Sequence, residues 1–361
     1  MRDVRLVDHH AHNLLRWEET RDVPYSAAFT EGRHPWVESA QSPHSLFYRR
    51  SLKDMAALLE CDSSEDEVLS RRRDLGLEEL SRRCFEAAGL ECLYLDDGLL
   101  PDRILPLSWH EQFVPCRRVL RLERLGEELL ARCPDFEDFR EQFRTGLRMP
   151  AVALKSIAAY RTGLSIDPDP EFARRRYRSL CGVERLTDKP MVDFLVNEAL
   201  EVAASIGRPI QFHTGFGDPD LDLRWANPLH LRPLIERYEG APVVLLHASY
   251  PFCREAGFLA SVYPNVYVDF GLAVPFLSRH GMRAAVAQLT ELAPLRKILY
   301  SSDASRIPDL YYLGALWGRR TVCEILEQCV RDGELSAAEA EDYGCGILRE
   351  NALALYGGIA A

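Results

Sequence analysis

Five apolar, strand-like runs each end in a side chain able to bind a metal: LVDHHAH at 6–12, AVALKS at 151–156, PIQFHT at 209–214, PVVLLHAS at 242–249 and KILYSSDAS at 297–305. In chain order the endings are His10 with His12, Lys155, His213, His247 and Asp303. Histidines and a carboxylate at the carboxyl ends of parallel strands can converge on one ion. Residues two apart on a strand share a face, so His10 and His12 project together while Ala11 turns away. Neutral imidazole suits zinc, iron, nickel or cobalt, and a carboxylate adds a harder ligand that can also move a proton. Lys155 is the odd member: as an ammonium it would be repelled by a cation, so it must be deprotonated, carboxylated by carbon dioxide, or displaced from the metal. His9 has the wrong alternation and reads as packing or support.

Between and around these runs the apolar period switches from two to that of a helix, the pattern of successive βα units. ECLYLDD near 91–97, RRVLRLE near 117–123 and NVYVDFG at 265–271 bring the strand count to eight. Helical periods fall at about 126–145, 171–180 with 188–206, 228–239, 253–262, 280–292, 312–332 and 336–355. The expected fold is therefore an α/β barrel of the (β/α)8 kind, one domain over 1–361. Residues 13–80 are too long for a loop after strand one. They read as an inserted helical cap, proline-punctuated near 24–43 and helical over about 44–60 and 64–87, placed over the catalytic mouth.

VDHHAHNLL, LKSIAAYRTGL, FHTGFGD, LLHASYPF, YVDFGL and SSDAS, with a closing ILRENALALYG, resemble the amidohydrolase superfamily of metal-dependent barrels. Within it they are most similar to the amidohydrolase-2 branch and to the FluG and nodulin type of barrel domain. The resemblance implies a centre of one or two divalent ions that activates water or polarises a carbonyl. In the two-ion arrangement His10, His12 and Asp303 hold one ion, His213 and His247 the other, and carboxylated Lys155 bridges them. In the one-ion arrangement His10, His12, His213 and Asp303 are ligands and His247 touches substrate. Zinc is the default, with iron or manganese also suited to the donor set. Asp303 would shuttle the proton, and Arg161 would hold a substrate carboxylate or else form a structural ion pair. The expected reaction is hydrolysis of an amide, ester or thioester of a small carboxylic acid, with γ-glutamyl amides one instance. The alternative within the branch is metal-dependent decarboxylation. A barrel kept only as a binding module would be expected to lose ligand positions, and all six are present.

Composition narrows the partners. A net charge of −11 argues against nucleic acid, and RRR at 71–73 and 174–176 reads as solvated helix surface. The start MRDVRLVDHH has no apolar signal-like core and no stretch is long enough to span a membrane, so a cytoplasmic protein acting on a small molecule is expected, with a homodimer an allowed assembly. Ten cysteines without a C-x-x-C pair suit reduced thiols. Asp96, Asp97 and Asp269 lie near strand ends, where they could accept from histidine N–H groups. His34, His44, His110, His230 and His280 have no ligand partner at a diagnostic spacing.

Overall fold

The computed structural model describes residues 4–20 and 23–357; of the expected domain, 1–3, 21–22 and 358–361 lie outside the described residues. Eight parallel strands follow one another in the order of the chain: β1 Leu6–His12, β2 Leu90–Asp96, β3 Cys116–Arg121, β4 Ala153–Ser156, β5 Ile210–Phe212, β6 Val243–Leu245, β7 Val266–Asp269 and β8 Ile298–Leu299. Each run expected to form a strand does so. The cylinder is nearly closed, and its last seam is made largely beyond the two-residue β8. There Asp303 N–H donates to His10 O at 3.0 Å and His12 N–H to Ala304 O at 2.8 Å.

Strand alternation divides the apolar residues into two bodies. Val7, Cys92, Tyr94, Val119, Ala153, Val244 and Leu299 point into the barrel, where Ala352 and Tyr356 of the final helix plug one end. Their neighbours Leu6, Leu93, Leu120, Leu154, Val243, Leu245 and Ile298 join the larger layer between strands and helices. A period of two thus serves both faces of a strand that is buried on each side. Continuing inward by steps of two from Tyr94, Val119 and Ala153 reaches Asp96, Arg121 and Lys155. The polar layer is therefore the next storey of the barrel interior, at the carboxyl ends of the strands.

Between β1 and β2 the chain forms helices at Leu46–Leu59 and Glu65–Ala88, close to the expected spans. Ser45 and Ser64 cap them by accepting from Tyr48 N–H and Glu67 N–H, and Gly89 ends the second in a left-handed conformation. Elsewhere periodicity overreached. The single helix expected over 126–145 is two, Leu122–Leu130 and Phe136–Gly146, because Asp135 caps a fresh start by accepting from the N–H groups of Glu137 and Asp138. The run at 71–73 is also corrected: Arg71 and Arg73 are exposed, but Arg72 is buried and bidentate on buried Asp309 at 2.8 and 2.9 Å. The run at 174–176 is exposed as expected.

Candidate metal centre

His10 and His12 owe their convergence to an irregularity in β1. Asp8 pairs with Leu93 and Ala11 with Leu95, so β1 carries one residue more than β2 across His9 and His10. Such a bulge re-aims a side chain without ending the strand. The result is two imidazoles, His10 and His12, with ring centres 5.1 Å apart. His9 faces the plugged end: its Nε2 lies 3.1 Å from Asp269 Oδ2, and its Nδ1 lies 3.1 Å from the Tyr356 hydroxyl. It packs and supports, as its position suggested.

Asp303 meets the pair from the other side of the seam. Its Oδ1 is 3.1 Å from His10 Nε2 and 3.4 Å from His12 Nε2, close approaches that are misaligned for hydrogen bonds and leave Oδ1 unpartnered. His12 Nδ1 lies 3.0 Å from Asp96 O; with the proton on that nitrogen, the Nε2 lone pair is directed at the same centre. Lys155 Nζ, fully buried, stands 3.2 Å from His10 Nε2, and burial lowers its pKa to about 8. Burial likewise brings His10 to about 4 and holds His213 and His247 well below the ordinary histidine value, so all three are neutral imidazoles near pH 7.

His213 and His247 extend the group. Their ring centres are 4.4 Å apart, and His247 is 5.7 Å from His10. His213 Nε2 is occupied by Phe216 O at 3.0 Å, whereas both ring nitrogens of His247 lack hydrogen-bond partners among the described residues. Buried nitrogens and carboxylate oxygens crowded together with unsatisfied lone pairs fit a cation, and His10, His12 and Asp303 have ligand atoms all within 4.8 Å of one another. Strain accompanies the cluster: His247, Ala248, Ser249, Leu272, Asp303 and Arg306 all have positive φ. Gly215, two residues after His213, lies against the backbone of Ser249 and Tyr250, where a Cβ would collide with the Tyr250 carbonyl.

The centre forms the floor of a cavity of about 370 Å³, the size of a small-molecule site. Lys155, His213, His247 and Asp303 line it, as does Arg161, whose Nη2 is also 3.1 Å from Glu127 Oε1. The ion pair expected as one reading of Arg161 is thus present, and the same residue lines the cavity. Of the supporting acids, Asp269 accepts from His247 N–H and Ser301 Oγ, Asp96 is bound chiefly by Arg121, and Asp97 pairs with Arg118 near the surface. Sequence reasoning missed Glu31, Tyr160, Arg121 and Arg306, which also line the cavity. Glu31 comes from the segment after β1, and burial next to Asp303 raises its pKa to about 7. Tyr160 sits beside Arg161 in sequence and packs on His213 with ring centres 4.3 Å apart.

Residues 140–358 match the family model described as Amidohydrolase, of the amidohydrolase-2 type. The chain is 31% identical over 396 residues to protein FluG of Emericella nidulans, an alignment covering 97% of this chain and 45% of FluG, so it spans less than half the length of that relative. A candidate metal-dependent hydrolase from Lactobacillus casei superposes with a TM-score of 0.88 at 28% identity, over 99% of this chain and 96% of that one. The uronate isomerase of Thermotoga maritima shares the fold, with a TM-score of 0.70 at 15% identity over 99% of this chain and 95% of its own. Among the described residues no helix is long and apolar enough to cross a membrane.

Proposed function

The chain belongs to the amidohydrolase family, and from that premise we propose that it is a metal-dependent hydrolase that cleaves an amide, ester or thioester of a small carboxylic acid, γ-glutamyl amides among them. One observation carries the reading: His10 Nε2, His12 Nε2 and Asp303 Oδ1 crowd together beside buried Lys155 on the floor of a small cavity. These three residues would hold a divalent ion, zinc by default and iron or manganese as alternatives. His213 and His247 would hold a second if Lys155 is carboxylated to a bridge. A bound divalent ion acts as a Lewis acid, lowering the pKa of water from 15.7 to roughly 7 and polarising a carbonyl.

The chain's own groups do the rest. Asp303 accepts the proton of the attacking water and returns it to the leaving amine, alcohol or thiol, a step worth roughly 10²–10⁴-fold. His247, with free ring nitrogens, contacts the substrate when it is not a ligand. Arg161 adds positive charge to the wall that receives an acid. Residues 13–80 belong to the same single domain and act as the cap: Ala28, Thr30, Glu31 and Arg33 line the cavity from that segment. Ten free cysteines support a reducing, cytoplasmic setting.

The test combines product analysis with metal content. Wild-type protein offered γ-glutamyl amides and esters in labelled water should place one labelled oxygen in the acid product. Lys155→Ala should lose metal and turnover together if the lysine bridges two ions. Unchanged metal in that variant, with carbon dioxide released from an acid substrate by the wild type, would replace hydrolysis by decarboxylation.

A further inference from the structure

We propose that Arg306 anchors a carboxylate carried by the substrate, so that the molecules accepted in this cavity bear a free acid group in addition to the bond that is cleaved. The inference deepens the hydrolase reading above and rests on it for the identity of that bond, but not for the anion.

The argument begins with how the cavity's cations are already engaged. Arg121 is held by Asp96 through Nη2 at 2.7 Å and Nε at 3.1 Å, and also donates to Gly98 O. Arg161 is paired with Glu127. Arg185 pairs with Asp220 at 2.9 Å, and Arg33 pairs with Asp218 and with Asp220. Arg306 differs from all four. Among the described residues its guanidinium forms no ion pair, and its hydrogen bonding is limited to one long contact, Nη1 to Ala27 O at 3.4 Å. Glu31 is electrostatically coupled to it but stands beyond ion-pair distance. Arg306 is a partly buried residue lining the cavity, its guanidinium has five donors and a single weak protein acceptor among the described residues, and its planar fork matches a carboxylate.

The backbone around it is held as a mount would be. Arg306 has φ +67°, a conformation unfavourable for a residue that carries a side chain and one that persists only where its surroundings impose it. The restraint is visible: Leu15 N–H donates to Arg306 O at 3.0 Å, and His12 N–H donates to Ala304 O at 2.8 Å. The same strand end that carries His12 thus fixes the conformation of Arg306. Arg306 is three positions after Asp303, so their Cα atoms are at most about 11 Å apart. An acid gripped by the guanidinium and a carbonyl over the metal centre then belong to one small molecule, in keeping with a 370 Å³ cavity.

The test compares glutarate with its uncharged isostere glutaramide, each titrated calorimetrically into the full chain, with metal content measured on every sample. Wild-type protein should bind glutarate at least tenfold more tightly than glutaramide. Arg306→Gln should lose at least tenfold in glutarate affinity with its metal content and glutaramide affinity unchanged. Arg306→Lys, which keeps the charge but not the fork, should fall between them and guards against misfolding of the first variant. Equal glutarate affinity in Arg306→Gln and wild type, or no preference for the acid in the wild type, would overturn the assignment. The two readings separate cleanly. Arginine-dependent glutarate binding in a protein that hydrolyses no amide or ester removes the hydrolase and leaves the anchor; hydrolysis in which Arg306→Gln raises KM equally for acidic and neutral amides removes the anchor and leaves the hydrolase.

Discussion

His110 spends both ring nitrogens on the backbone: Leu14 N–H reaches its Nε2 at 3.1 Å, and Nδ1 lies 3.0 Å from Pro106 O. Only the neutral ring satisfies both, and burial lowers its pKa to about 4. Between pH 6.5 and about 4 the unfolded chain therefore binds a proton that the folded chain refuses. Stability must fall as pH falls through that window and level off below it. Asp8, raised to about 7 by burial, works in the opposite sense, so the histidine's part is read as a difference. From pH 7 to 4.5, wild type should lose roughly 2 kcal/mol more than His110→Gln in urea unfolding; parallel pH profiles would refute this. His110 could not be distinguished by spacing from an idle loop histidine, because one of its two partners, Leu14, comes from the distant chain just beyond β1. The six positions His10, His12, Lys155, His213, His247 and Asp303 were legible because each closes an apolar run. Arg306 and Glu31 were not, since an arginine's importance here lies in which carboxylates fail to reach it.

At the scale of elements, the helices Glu65–Ala88 and Asp309–Arg331 are joined by a buried charge. Arg72 forks onto Asp309, the Tyr25 hydroxyl donates to the same carboxylate at 2.8 Å, and the guanidinium carbon lies 4.3 Å from the centre of the Tyr25 ring. Asp309 also opens its helix, where an anion is favoured by the helix dipole. Removing one partner of such a pair strands the other charge. Asp309→Asn should lower stability by about 3 kcal/mol, whereas Arg71→Ala on the exposed side of the same helix should stay within about 0.5 kcal/mol; thermal denaturation of both variants decides it. The run RRR at 71–73 looked uniform because sequence records three cations but not that the middle one faces a helix that begins at 309. Strands were better signalled than helix ends. Two-sided burial makes a barrel strand conspicuous, while the break at 131–135 depended on one capping aspartate.

Over the whole molecule, an acidic chain surrounds a cavity lined by five arginines, four of them already paired with carboxylates, so the charge left for an incoming anion is concentrated at Arg306. The trio proposed to hold the metal also spans the barrel's last seam, with His10 and His12 on β1 and Asp303 beyond β8. A cation held there should tie that seam. At a free metal concentration about 100 times Kd, loading should add roughly 2.7 kcal/mol to stability, and chelation should remove it. His12→Ala should melt at the same temperature with or without chelator, and hydrogen exchange at 298–304 should quicken in the stripped wild type; a chelator-independent melting point in the wild type would count against a seam-spanning ion.

The shortness of β8 bears on how the protein comes into being. The two edges of the seam lie far apart along the chain, as the contact between Asp8 and Ser302 shows across 294 residues. Joining them is the most costly loop closure that the topology demands, and contacts of such separation are gained late in folding. His10, His12 and Asp303, divided between those edges, would form the proposed centre only once the cylinder has closed. Tight metal capture would then report that the circle is complete, and a nascent chain still lacking β8 would be spared the hazards of a premature, reactive site.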